Sequence, residues 1–317
     1  MAISQEATPD CTAQGIIIIL ASVTTMAFAD AMVKLVSADL TLWQVFATRS
    51  LVAIPVMLAL SLATGTALRL RAPKWVLIRS VLLVLTWLAF YAALPVLNLS
   101  VAAVAVYTNP IMTALLSAAL IGEPVTRREW GGVALGFVGV IAILRPGTDA
   151  FSWFTLLPLL AAAFYSLAMV LTLSKCRQQT PLSLALNLHG SFLVTGLIAT
   201  AVLAVIGLTS ETQASFPFLL GDWAPMGKRE WALMALLGVL SAAFFAGVAR
   251  AYQIAAPSII ATFDYAYLVS AAVWGFAFFS EMPDLLTIGG MIAIIMAGLL
   301  VAAPASKQPP VGGTGPG

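Results

Sequence analysis

The chain has 317 residues, of which 61% are hydrophobic and only 9% charged, with a mean hydropathy of +1.02. Soluble domains carry about 25% charged residues, so the composition excludes an ordinary soluble domain and points to an all-α polytopic membrane protein. A net charge of +2, two cysteines and one histidine exclude a basic nucleic-acid surface, a disulfide framework and a Cys/His metal centre. No Gly-rich phosphate loop with its lysine occurs, so neither ATP nor another cofactor is expected.

A membrane-spanning helix needs roughly 20 apolar residues. After a cytoplasmic segment over 1–14, apolar runs predict spans at 15–36, 42–63, 75–94, 99–121 and 129–144. A second set follows at 153–173, 182–208, 231–249, 258–279 and 285–303. The fifth run is short, which suits a thinned or peripheral position. Ala27-Phe-Ala29 resembles a cleavage site, but Glu6 and Asp10 precede it and no Lys or Arg occurs before Lys34. A signal peptide wants a basic start, so an uncleaved first span is expected. The segment 304–317 is rich in Pro, Gly and Ser and is expected to be a disordered tail.

Aligned without a gap, 100–146 and 258–304 share their punctuation. Ser100 falls on Ser258, Tyr107 on Tyr265, Glu123 on Glu281, Gly131-Gly132 on Gly289-Gly290 and Pro146 on Pro304. This layout predicts two repeats, 15–146 and 147–303, of five helices each. With an inside amino terminus, inside segments hold Arg69, Arg71, Lys74, Arg79, Arg127, Arg128, Lys175, Arg177, Arg250 and Lys307. Outside segments hold only Lys34, Arg145, Lys228 and Arg229, so both termini are expected in the cytoplasm. Five spans per repeat then force the second repeat to enter the membrane inverted, the usual scaffold of alternating access.

Several shared marks have structural explanations. Thr126 and Asp284 sit just before the fifth and tenth spans as N-cap residues, and Thr126 with Glu129 makes a capping box. Glu123 and Glu281 sit at helix boundaries on opposite membrane faces, where a carboxylate can bond to a positive helix start. Gly131, Gly132, Gly136 and Gly139, like Gly289, Gly290, Ala293 and Ala297, give small faces for close helix contact.

A charge at bilayer depth costs about 2.5–3.5 kcal/mol on insertion scales, so each requires a partner or a cavity. Asp30 and Lys34 stand four apart on one face of the first helix. Arg49, at comparable depth on the second, is within reach of Asp30. These three are either a structural ion cluster or a substrate contact. Arg250 is placed at the end of the eighth helix and Asp264 two turns into the ninth, where a bridge between them or snorkelling of Arg250 are both open. Asp264, flanked by Tyr265 and Tyr267, suits ligand charge recognition or a proton-coupled step. His189 in the seventh helix is either a proton carrier or a hydrogen-bonded structural histidine. Trp87 and Tyr91 share a face of the third helix. Tyr107 leads into Asn109-Pro110, where proline frees a carbonyl and polar groups gather.

With ten spans in a five-plus-five duplication, and Gly122-Glu123 preceding Gly131-Gly132, the chain resembles the drug/metabolite transporter superfamily, EamA type, from about residue 15 to 303. Phe28-Ala-Asp30-Ala-Met-Val-Lys34 with Arg49, and Phe263-Asp-Tyr265 with Glu281-Met-Pro-Asp284, are similar to the branch of S-adenosylmethionine and riboflavin uptake carriers. The resemblance implies a central cavity lined by helices 1, 3, 4, 6, 8 and 9, facing Asp30, Trp87, Tyr91, Tyr107, Asn109, Tyr165 and Asp264. Ungapped comparison finds no second-repeat counterpart of the Asp30/Lys34 pair.

The expected function is secondary transport of a small polar or aromatic metabolite by alternating access, in the cytoplasmic membrane, by a monomer or weak homodimer. Export of amino acids or drugs on the same fold, a membrane-embedded enzyme and a substrate-free sensor or assembly protein are the alternatives. A pore is disfavoured, since no ring of like charges lines any helix.

Overall fold

The computed structural model describes residues 9–109, 127–144, 152–176, 178–254 and 263–302, with Met112, Leu115, Leu116 and Ala119 between. Pro110, Glu123, Thr126 and the terminal segments 1–8 and 303–317 lie outside the described residues, and so therefore does the Thr126–Glu129 capping box. The described residues form twelve α-helices and one 3₁₀ turn, with no strand among them. The helices are α1 (Pro9–Val36), α2 (Leu42–Thr64), α3 (Pro73–Ala93), α4 (Leu99–Val106) and α5 (Arg127–Leu144). After the 3₁₀ turn Trp153–Thr155 come α6 (Leu156–Lys175), α7 (Pro181–Ile206), α8 (Ser210–Ser215) and α9 (Pro217–Leu220). The last three are α10 (Lys228–Ile254), α11 (Ala266–Phe279) and α12 (Leu285–Ala302).

Among the described residues, six helical segments are long and apolar enough to cross a membrane, in α1, α2, α3, the 3₁₀ turn with α6, α7 and α10. Shorter apolar stretches lie in α5, α11 and α12. The protein is a polytopic membrane protein. Two predicted spans differ from a plain rod. The fourth turns at Tyr107 and Thr108, after only eight residues of α4. The ninth has a turn at Tyr265, between helical Phe263-Asp264 and α11. Asp264 therefore sits at a helix junction instead of inside an unbroken helix. Arg250, expected to close the eighth helix, lies one turn before the end of α10. The short helices α8 and α9 were not foreseen, because their residues carry no long apolar run.

Helix ends follow from local chemistry. Thr41 and Gln44 form a reciprocal capping box at the start of α2, and Gly65 ends it with φ of 65°. Gln44 is clasped from outside as well: its Nε2 donates to Ala224 O at 2.7 Å and its Oε1 accepts from Ala224 N at 2.9 Å. Trp43 Nε1 donates to Leu219 O at 2.8 Å. These bonds tie α9 and the loop after it to the head of α2.

Small residues set the helix contacts, since lipid tails give helices no hydrophobic reason to associate and close packing must supply the attraction. In α7, a Cβ on Gly196 would lie 2.6 Å from Trp43 O and 3.0 Å from Ala47 N, so α2 and α7 touch backbone to backbone. In α5, Gly139 lies against Gly290 O, Ala293 and Ile294 of α12. The resulting neighbours are α1 with α10 and α11, α3 with α6 and α7, and α2 with α7 and α10. Further pairs are α4 with α6 and α11, and α5 with α12.

Candidate functional site

Asp30 is the centre of a buried polar network in the body of the bundle. Position 30 lies in the last third of α1, a helix flanked by α10 and α11, so its carboxylate is fully buried. Its Oδ1 accepts from the Tyr91 hydroxyl at 2.9 Å, and its Oδ2 from the Tyr267 hydroxyl at 2.6 Å. Arg49 Nη1 donates to the same Tyr91 oxygen at 3.2 Å. Arg49 thus reaches Asp30 through a tyrosine and forms no direct ion pair with it. Its guanidinium lies over Phe192, Tyr91 and Phe46, at 5.0, 5.8 and 5.9 Å from the ring centroids. Ring faces attract a desolvated cation, which offsets part of the cost of its burial.

Lys34 parts company with Asp30, one turn earlier on the same helix. Its ammonium forms an ion pair with Glu281, donates to Leu97 O at 2.6 Å and lies 5.0 Å from the Phe279 centroid. The other Glu281 oxygen accepts from Leu99 N at 2.8 Å, the first backbone donor of α4. Glu281 therefore bonds to a helix start as its boundary position suggests, but the helix is α4, not its own neighbour α12. One ion pair joins α1, the α3–α4 segment and the α11–α12 segment at one end of the bundle. Asp284 Oδ1 accepts from Thr287 N at 2.9 Å, an N-cap bond for α12.

Asp264 stands at the other end of α11, whose fourteen residues rise by about 21 Å. Its side chain is half-buried, and its carboxylate has no hydrogen-bond or ion-pair partner among the described residues. Arg250 is exposed and forms no bridge to it among the described residues, so of the two readings left open by the sequence, a bridge or an outward-reaching Arg250, the bridge is not formed. Tyr165 is close enough to Asp264 and to Arg79 to feel both charges. Arg79 Nε donates to Thr172 Oγ1 at 2.6 Å, while its Nη1 is buried with no partner among the described residues.

Stacked tyrosines connect the two acids. Tyr107 and Tyr267 stack with centroids 5.0 Å apart and planes at 16°. Tyr267 donates to Asp30, and the Tyr107 hydroxyl donates to the main-chain oxygen of Asp264 at 3.3 Å. Tyr265 lies 5.8 Å from Tyr107 and packs against Gly298, where no Cβ could fit. Trp87 packs on Tyr91 at 5.1 Å and faces Phe245. Asn109 presents its main-chain oxygen to Ser166 Oγ at 2.9 Å. His189 Nδ1 lies 3.3 Å from Ser50 Oγ; its Nε2 is buried with no partner among the described residues.

Asp30, Arg49, Tyr91, Trp87, Tyr107, Tyr265 and the main chain of Asp264 thus gather around one polar and aromatic core. Lys34 faces a separate contact, and Arg250 faces out. Sequence reading missed Tyr267 as an Asp30 ligand and Arg79 as a partly buried cation. The spacing of Tyr267 three residues after Asp264 was the available signal. Arg79 looked like one more basic residue of an inside segment.

Long apolar helices that bury charged side chains among hydroxyls mark a polytopic membrane protein. Residues 13–145 match the EamA-like transporter family. The pseudopaline exporter CntI of Pseudomonas aeruginosa is 27% identical over 290 residues, covering 91% of this chain and 95% of its own. An S-adenosylmethionine uptake transporter of Rickettsia prowazekii is 24% identical, over 90% of this chain and 92% of its own. A riboflavin transporter of Rhizobium johnstonii is 28% identical, over 84% and 80%. These relatives are transporters, not enzymes. A solved crystal structure of a protein 20% identical covers 92% of this chain and 96% of its own with a TM-score of 0.58, a shared fold.

Proposed function

We propose that this protein is a secondary carrier of a small polar or aromatic metabolite, working by alternating access across the cytoplasmic membrane. The observation that carries the reading is the Asp264 carboxylate, half-buried and partnerless among the described residues, on a residue whose main-chain oxygen accepts from Tyr107 at the edge of the tyrosine cluster. A charge at that depth calls for a partner or a cavity, and a solute group is the partner it lacks. Asp30 is a poorer contact for cargo, because two tyrosines already fill its oxygens.

The helix neighbours support two inverted repeats spanning 15–146 and 147–303. Replacing each span by its counterpart five spans on turns α1–α10 into α6–α3, α2–α10 into α7–α3 and α1–α11 into α6–α4. Each product is itself a contacting pair. The pairs α2–α7, α4–α11 and α5–α12 map onto themselves. A five-span repeat with short connections must be inverted relative to its copy. With both termini cytoplasmic, as the basic residues favour, the Lys34–Glu281 pair lies on the outer side. It ties the first repeat to the second there, and opening to that side requires it to break.

Uptake and export are both represented among the relatives, so direction is part of the test. Right-side-out and inside-out proteoliposomes should be loaded with S-adenosylmethionine, riboflavin, pseudopaline and amino acids in turn. Flux of one of them that falls to background with Asp264→Ala supports the reading. Identical flux by wild type and Asp264→Ala for every solute defeats the site assignment. Flux by wild type in the outward direction alone favours an exporter.

A further inference from the structure

Arg79 and Asp264 approach the same stretch of α6 from different helices. Arg79 stands in the second turn of α3, and its Nε donates to Thr172 Oγ1 at 2.6 Å, which fixes the guanidinium against α6. Tyr165 lies seven residues before Thr172, two turns away on the same face of that helix. Next to Tyr165, Ser166 Oγ lies 2.9 Å from Asn109 O, and Tyr107, two residues before Asn109, donates to Asp264 O at 3.3 Å. Tyr165 is thereby bracketed by a cation on one side and an acid on the other, and feels both charges.

The two charges do not neutralise each other. Among the described residues the one ion pair is Lys34–Glu281. Arg79 keeps Nη1 buried with no partner there, and the half-buried Asp264 carboxylate has none either. An arginine that only snorkels carries its outer nitrogens into water, which the burial of Nη1 contradicts. Charges taken out of water need counter-charges and hydrogen bonds. An acid and a guanidinium that each lack one, with a tyrosine between them, match a solute that brings both.

We propose, resting on the carrier reading above, that the cargo is a zwitterion of the amino-acid type, its ammonium held by Asp264 and its carboxylate by Arg79. The planar guanidinium fork fits a carboxylate in two-pronged fashion. A solute with a cation alone leaves Arg79 unmatched, one with an anion alone leaves Asp264 unmatched, and a neutral one leaves both. Asp264 lies at the opposite end of α11 from Glu281. A solute that bridges α3 and α11 there draws the two proposed repeats together at the end away from the Lys34–Glu281 pair.

The full chain, purified in detergent, should be titrated by thermal shift with S-adenosylmethionine and the free amino acids, each beside its decarboxylated amine, and with riboflavin. Binding to the folded state raises Tm by mass action. At least one zwitterion should bind about tenfold or more tighter than its amine, the scale of one charge-assisted hydrogen bond. Arg79→Gln should close that gap by weakening the zwitterion and not the amine, whereas Asp264→Asn should weaken both. The wild-type comparison of zwitterion with amine stands if a variant fails to fold. Equal wild-type binding of the two, or an Arg79→Gln variant that weakens both alike, overturns the proposal. Riboflavin binding and flux in proteoliposomes without any zwitterion binding overturn it while the carrier reading stands. No binding and no flux for any compound sinks the carrier reading with it.

Discussion

Tyr267 and Asp30, 237 positions apart, are joined by a 2.6 Å hydrogen bond that fastens α11 to α1 inside the bundle. The tyrosine ring also stacks on Tyr107 of the turn after α4. One side chain therefore links three spans, and its hydroxyl is half of the solvation that Asp30 receives from donors in direct contact.

Tyr267→Phe keeps the stack and removes the bond. Leaving one oxygen of a buried carboxylate without its donor is expected to cost about 1–3 kcal/mol. Tyr91→Phe should cost more, since Tyr91 donates to Asp30 and accepts from Arg49. Thermal unfolding in detergent checks both. An unchanged Tm for Tyr267→Phe counts against the bond.

The Lys34–Glu281 pair predicts a crossed result. Its side chains are 11% and 13% exposed, so breaking it should cost about 1–3 kcal/mol, below the 3–5 kcal/mol of a fully buried pair. Lys34→Met leaves Glu281 charged and unpaired, whereas Lys34→Met/Glu281→Gln keeps an acceptor for Leu99 N without that charge. The double variant should be the more stable of the two. Under the alternating-access reading it should also expose a reporter cysteine at Val33 to thiol reagents from the outer side, in a chain lacking Cys11 and Cys176. Labelling unchanged from the wild type would remove the pair's role in closing that side.

Gly196→Ala tests the α2–α7 contact. The added methyl meets Trp43 O at 2.6 Å, and backbone cannot yield as a flexible side chain can. Overpacking of this kind is expected to cost about 1–3 kcal/mol, read as a lower Tm. A neutral result would place the two helices farther apart.

Arg250→Gln should be close to silent. The residue is exposed and makes no bridge to Asp264, and surface changes of this sort stay within about 0.5 kcal/mol. Stability measured beside Asp264→Ala distinguishes the two cases. A loss shared by both variants and non-additive in the double would restore the bridge.

Much of this protein is legible in its sequence because the bilayer imposes its demands locally. Each crossing needs its own apolar run and each backbone must bond within its own helix, so α1, α2, α3, α6, α7 and α10 appear close to their predicted places. The rarity of charge at depth likewise singles out Asp30, Lys34, Arg49 and Asp264 before any fold is known. Tertiary structure alone decided whom those charges meet. A hydrogen bond reaches about 3 Å, while one helical turn moves a side chain by 5.4 Å, so partnership depends on how helices cross. Lys34, one turn from Asp30, finds Glu281 and the head of α4 in place of Asp30. Arg49 meets Asp30 only across Tyr91, and Asp264 makes no bridge to the exposed Arg250, while its main-chain oxygen accepts from Tyr107. Spacing along one helix ranks residues on a face; it holds no information on the neighbouring helix that the face will touch.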